Sequence, residues 1–275
     1  MVSNASMASV ERAAEYIRQH GNALQQAWLN YMLYSEAMPE ETVEAFLAGQ
    51  REDGGWPPFW APDATSVDAT CYRLTQARQM NLFATYLQHP ALARAVAFLY
   101  ERQDTDGHWA EDAALREVAP PWAQPDDPAA ILYLTANCGF LLALLERWHH
   151  LEGGMAAGRA ASNYLLGNLR EDGTLPSFLH THWLAAGLWY LLDEREACNR
   201  MLEILGQRVV NGMSPGNLVW LINTLLEAGM NDHPLLASAV SQLIAAQRED
   251  GSWPGDDGPQ FDTTTTIEAI AALMS

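Results

Sequence analysis

The sequence predicts an all-α protein, a single (α/α)6 toroid of six inner and six outer helices. Three observations predict it. One pattern, Gln-x-x-x-Gly-x-Trp, recurs at Gln50–Trp56, Gln103–Trp109 and Gln247–Trp253. The turn glycines Gly173, Gly212 and Gly251 are spaced 39 and 39 residues apart. The runs between turns have helical period and alternate in character, one amphipathic and the next apolar almost all round. A repeated turn between paired helical runs marks a repeat architecture.

The turn comes first. Its Gln ends a helix, its Gly takes the positive φ that a tight exit needs, and its Trp covers the helix pair. Leu169–Leu175 is a degenerate fourth copy, Val210-Asn-Gly212 a fifth and His20-Gly21-Asn22 a sixth. The runs before the turns, near 7–19, 39–49, 90–102, 155–168, 195–207 and 233–247, carry charge on one face. They are the outer helices. The runs after the turns, near 22–35, 67–86, 128–148, 178–192, 216–228 and 262–274, are apolar on every side, as a buried helix is. An open solenoid of helical hairpins is the alternative, but it would keep a solvated concave face on those inner runs. Residues 1–6 read as a loose tail and 7–275 as one domain, with a lid-like insertion at about 110–127 bearing Trp122.

Composition narrows the function. The net charge of −19 makes nucleic acid and anionic membranes poor partners. All 15 basic residues are Arg, which removes Schiff-base chemistry and a phosphate-loop Lys. No apolar run reaches the length of a membrane span free of polar residues, and no signal-peptide pattern opens the chain. Cys71, Cys138 and Cys198 fit buried free thiols in a cytoplasmic protein.

The Gln-x-x-x-Gly-x-Trp turns on alternating helices resemble the QW motif of the terpenoid cyclase and protein prenyltransferase superfamily, over residues 7–275. That resemblance implies the toroid and leaves the reaction open, because cyclases, prenyltransferase subunits and non-enzymatic toroids share the barrel. Ser66-Val-Asp68-Ala-Thr70 is similar to the Asp-x-Asp-Asp-Thr-Ala motif of class II terpene cyclases. Matched position by position, Asp68 falls on the family's proton donor and Thr70 on its Thr, while Ser66 and Ala69 replace two carboxylates. An acid that protonates an alkene must stay neutral until it fires, which burial favours. With two carboxylates missing, an easier transfer to an epoxide, allylic alcohol, carbonyl or enol fits better. Class II cyclases set their site between two helical domains, so a second subunit, a homo-oligomer or the lid would close this cavity.

The other candidates lie at inner-helix starts. Asp126 overlays loosely on the same motif, though Asp127 before Pro128 is an ordinary N-cap. His180 and His182, two apart, do not share a helix face and fit a base toward Asp68 or a lining better than one metal site. A zinc set of Asp68, Cys71 and His180 or His182 departs from prenyltransferase spacing, so no metal and no cofactor is expected. Asp262 reads as a cap facing the mouth. Trp28, Tyr72, Trp122, Tyr133, Phe140, Trp183 and Trp220 would line an aromatic bore able to stabilise cations. Three functions remain. One is proton-initiated cyclisation, isomerisation or (de)hydration of an apolar isoprenoid or polyketide-like substrate. The others are a metal-dependent prenyltransferase relative and a non-catalytic toroid that binds a hydrophobic ligand or a protein.

Overall fold

A computed structural model describes residues 4–85, 89–210 and 212–274. It is all-α among those residues. Thirteen α-helices follow in order: α1 (Asn4–His20), α2 (Ala23–Tyr34), α3 (Glu40–Leu47), α4 (Val67–Gln79), α5 (Leu82–Thr85), α6 (Pro90–Glu101), α7 (Pro128–His149), α8 (Gly154–Gly167), α9 (Leu179–Leu191), α10 (Arg195–Val210), α11 (Pro215–Ala228), α12 (Pro234–Ala245) and α13 (Asp262–Met274).

The twelve expected runs all form helices, with two differences. The run 67–86 is broken into α4 and α5 at Asn81, whose φ of 58° is left-handed and cannot continue a right-handed helix; residue 86 lies outside the described residues. Asn4–Ser6, expected in a loose tail, form the first turn of α1.

The chain divides into two compact units. The first holds residues 1–48 and 205–275, where α1 packs on α13 and α2, and α11 on α12 and α13. The second holds residues 49–204, where α7 packs against α8, α9 and α4, and α4 against α6. Its centre is α7, whose 22 residues are long and apolar enough to span a membrane; 83% of that apolar stretch is buried inside the protein. Burial inside protein is what an all-round apolar helix requires.

The recurrent turn is built the same way each time. Gly54, Gly107, Gly173 and Gly251 have φ of 93°, 99°, 84° and 90°. The preceding Asp accepts from the backbone two residues on, as Asp106 does from His108 at 3.2 Å and Asp172 from Thr174 at 2.9 Å. The Gln amide then ties two backbones together. Gln103 Nε2 donates to Gly107 O at 3.0 Å and to Ala157 O at 2.9 Å on α8. Gln50 does so to Gly54 and Ala91, and Gln247 to Gly251 and Ser9. Each Gln thus clamps its own turn to the next outer helix. Gly21 differs: it is absent from the positive-φ glycines, and Asn22 beside it caps α2.

Behind each turn, the backbone N–H of the Trp donates to a hydroxyl on the following inner helix. Trp56 reaches Thr70 at 2.9 Å, Trp109 reaches Thr135 at 3.1 Å and Trp253 reaches Thr266 at 3.0 Å. In the degenerate fourth turn, Leu175 N–H donates instead to His182 Nε2 at 3.3 Å.

Candidate active site

The second unit gathers polar groups at the first turn of α4. Ser66, extended at φ −129° and ψ 139°, caps the helix by accepting from Ala69 N at 3.1 Å. The cap is therefore Ser66, and Asp68 is released from that duty. Its carboxylate turns to two donors from other elements. Tyr133 on α7 donates to Oδ1 at 2.8 Å, and Trp122 Nε1 donates to Oδ2 at 3.2 Å. Asn137, one turn along α7, donates to the Tyr133 oxygen at 3.4 Å. Burial pushes the Asp68 carboxyl above the ordinary carboxylate range, against the pull of the Tyr133 and Trp122 donors. Yet Asp68 keeps some accessible surface. A group that is deeply surrounded and still accessible can hold a proton and pass it on.

Trp122 arrives on the 110–127 segment. Pro121–Ala123 is a single 3₁₀ turn, with Pro at its start supplying the fixed φ. Leu115, Ala119 and Ala123 form a small buried cluster, against which Trp122 and the Trp60, Ala61 and Ala64 side chains pack. The segment 57–65, between the first turn and α4, therefore packs on the 110–127 insertion, which presents Trp122 to the acid.

Glu111 was not foreseen from the sequence. It is 5% exposed and sits two residues after Trp109, whose backbone is fixed to Thr135. Its carboxylate accepts from Ser66 Oγ at 2.6 Å, Val67 N at 2.8 Å and Asp68 N at 3.0 Å. Burial pushes it up to about 7, opposed by those three bonds and raised further by the charge of Asp68. A lone Glu 43 residues from Asp68 follows no motif, and only the shared spacing of Trp109 to its helix brings it here.

His180 and His182 separate clearly. His182 is buried; its Nε2 accepts from Leu175 N and its Nδ1 lies 3.0 Å from Phe178 O, so the ring serves the fourth turn as threonines serve the others. His180 stands edge-on to Tyr133 at 6.3 Å and to Trp183 at 5.1 Å, which places an imidazole one ring away from Asp68. Phe178 completes this cluster against Tyr133 at 6.4 Å. Thr70, by its bonds to Trp56 N and Ser66 O, holds the turn.

The remaining candidates are dispersed. Asp126 is exposed and accepts from Arg116 at 2.7 Å, and Asp127 caps α7. Tyr72, 46% exposed, has its hydroxyl on Gln76 at 3.0 Å and so belongs to the surface face of α4. Phe140 and Trp183 are buried in α7 and α9. Trp28, Trp220 and Asp262 belong to the first unit, where Trp28 is buried and Trp220 half-buried. There Asp262 accepts from Gly255 N at 2.8 Å and pairs with Arg248. The Cys71 and Cys138 thiols are free and buried, and they are hydrogen-bonded to each other near Tyr133. Thus both imidazole nitrogens of His182 and the thiol of Cys71 are already engaged. Among the described residues, three ligand atoms come within 4.8 Å of one another at Asp104, Asp106 and His108, on the surface of the second turn.

No protein-family model matches the sequence, and no curated protein matches it. Solved structures do. A protein from Actinoplanes is 16% identical with a TM-score of 0.60, covering 98% of both chains. The type II terpene cyclase MstE from Scytonema is 16% identical with a TM-score of 0.64, covering 98% of this chain and 97% of that one. A variant of that cyclase in complex with geranylgeranyl dihydroxybenzoate, its substrate, matches equally, at 16%, 0.64 and the same coverage. At such identity the likeness shows the fold, which is the all-α toroid class that the sequence predicts.

Proposed function

We propose that this chain is a terpene-cyclase-like enzyme in which Asp68 is the general acid for proton-initiated cyclisation or isomerisation of an apolar isoprenoid-type substrate. The observation that carries the reading is the setting of Asp68. It is a carboxyl relieved of capping by Ser66, raised by burial, and gripped at both oxygens by Tyr133 and Trp122. The fold shared with MstE, which takes a geranylgeranyl-bearing substrate, supports the class of substrate.

In the first step the Asp68 O–H bond breaks and a C–H bond forms at a terminal alkene carbon, or an O–H bond at an epoxide oxygen. The alkene electron pairs then close the rings, leaving a cation beside the Tyr133, Phe178, His180 and Trp183 rings, whose faces favour positive charge. Loss of a C–H proton to His180 or to water ends the cascade. Reprotonation of Asp68 from solvent closes the cycle, and the net change is isomerisation. The 110–127 segment acts as the lid that keeps water from the cation and brings Trp122 onto the acid.

The test uses linear geranylgeranyl dihydroxybenzoate and its terminal epoxide, incubated with the protein in D2O. The expected product of the alkene is an isomer of its substrate with one hydrogen replaced by deuterium at the protonated carbon, and that of the epoxide an isomer whose deuteron sits on an exchangeable hydroxyl. Absence of a cyclised isomer from both compounds would sink the reading.

A further inference from the structure

Two carboxyl groups meet at one helix end. Glu111 accepts three hydrogen bonds there, from Ser66 Oγ, Val67 N and Asp68 N, and the last of these belongs to the residue that bears the acid. Asp68 accepts two, from Tyr133 and Trp122. The backbone donors on Glu111 are free first-turn N–H groups of α4, where the helix dipole is positive and favours an anion. No such terminus faces the Asp68 oxygens, whose partners are side chains of α7 and the 110–127 segment. Other ionisable groups nearby are Cys71 on α4, Tyr133 and Cys138 on α7, whose protons burial holds in place, and His180 on α9, edge-on to Tyr133 at 6.3 Å. On the Glu111 segment, Asp112 is exposed and its carboxylate lies 4.0 Å from the Arg102 guanidinium.

We propose that Glu111 is the positioning and charge partner of Asp68, so that the pair carries one negative charge, on Glu111, and one transferable proton, on Asp68. The inference rests on the reading of Asp68 as the acid. Three bonds and a helix terminus make Glu111 the better home for the charge, and a second charge on Asp68 is opposed by the first. With Asp68 protonated, its contribution to raising Glu111 disappears, and Glu111 ionises below the value of about 7 that it has beside an anionic neighbour. The same three bonds tie the 110–127 segment to α4, which sets Trp122 against the Asp68 carboxyl.

The experiment is a carbon-13 NMR titration of protein labelled at the Asp and Glu carboxyl carbons, with the Asp68 signal assigned by its loss in Asp68→Asn and the Glu111 signal by its loss in Glu111→Gln. Glu111→Gln removes the charge, and the Asp68 midpoint is expected to fall by about one pH unit or more. An unmoved Asp68 midpoint would overturn the proposal, while leaving the role of Asp68 as acid to the turnover of Asp68→Asn. Should Glu111→Gln not fold, Asp68→Asn decides: the Glu111 midpoint is expected to stay in place, since Glu111 already ionises beside a neutral Asp68. A fall of that midpoint would put the charge on Asp68 and overturn the assignment.

Discussion

At the scale of single residues, Asp68 and Glu111 make a prediction about pH and stability. Both carboxyls are raised in the folded protein, Glu111 from 4.5 to about 7. The folded state therefore binds more protons than the unfolded chain in that window, so the stabilisation is complete below the unfolded value and is lost as pH rises through the folded value, which for Glu111 beside a neutral Asp68 lies between 4.5 and about 7. For Glu111 the loss is at most about 3 kcal/mol. Urea unfolding of wild type and Glu111→Gln across this window should show the wild type losing stability more steeply as pH rises. Parallel curves would mean that Glu111 titrates as an ordinary surface carboxylate. Asp68 was legible because it stands at the start of an apolar helix in a pattern resembling a known acid motif. Glu111 was not legible, because nothing local distinguishes it from a solvated Glu; its place follows from a helix start 43 residues away. His182 was legible as unusual, and its ring stands where a threonine anchors the other turns, a role that no local pattern announces.

At the scale of elements, the turn is the unit that repeats, and its glycine is the residue that cannot change. Gly107 has φ 99°, and a Cβ there would lie 2.4 Å from the Ala160 carbonyl oxygen. Gly107→Ala should destabilise by more than about 2 kcal/mol, combining left-handed strain with a backbone clash. Gly206, inside α10, is the control, because a Cβ added there would meet nothing within 4 Å. Gly206→Ala should stabilise by up to about 1 kcal/mol, by relieving the helix of a flexible residue. Thermal denaturation of the two variants checks both, and equal effects would refute the clamp described for the turn. The helices were legible from the 3.6-residue period and the spacing of these glycines. The break at Asn81 was not, because a single left-handed residue leaves the apolar pattern on both sides intact.

At the scale of the whole molecule, the all-α class followed from the alternation of amphipathic and all-round apolar runs, and structures 16% identical carry the same fold over 98% of the chain. The composition itself leaves no Lys for covalent chemistry, since 15 Arg supply every basic side chain. What composition and period do not encode is which inner-helix polar groups converge. Of the predicted catalytic set, Asp68 and His180 come together around Tyr133, while Asp126 pairs with Arg116 at the surface. The central claim, that Asp68 is the acid, is tested most directly by Asp68→Asn. Asn keeps the shape and can still accept from Tyr133, and Ser66 keeps the cap, while the 3.2 Å bond from Trp122 is lost, so unfolding free energy should stay within about 2 kcal/mol of wild type. Turnover of the cyclised geranylgeranyl substrate should drop by about two orders of magnitude or more. Near-full turnover by Asp68→Asn, with stability unchanged, would contradict the account.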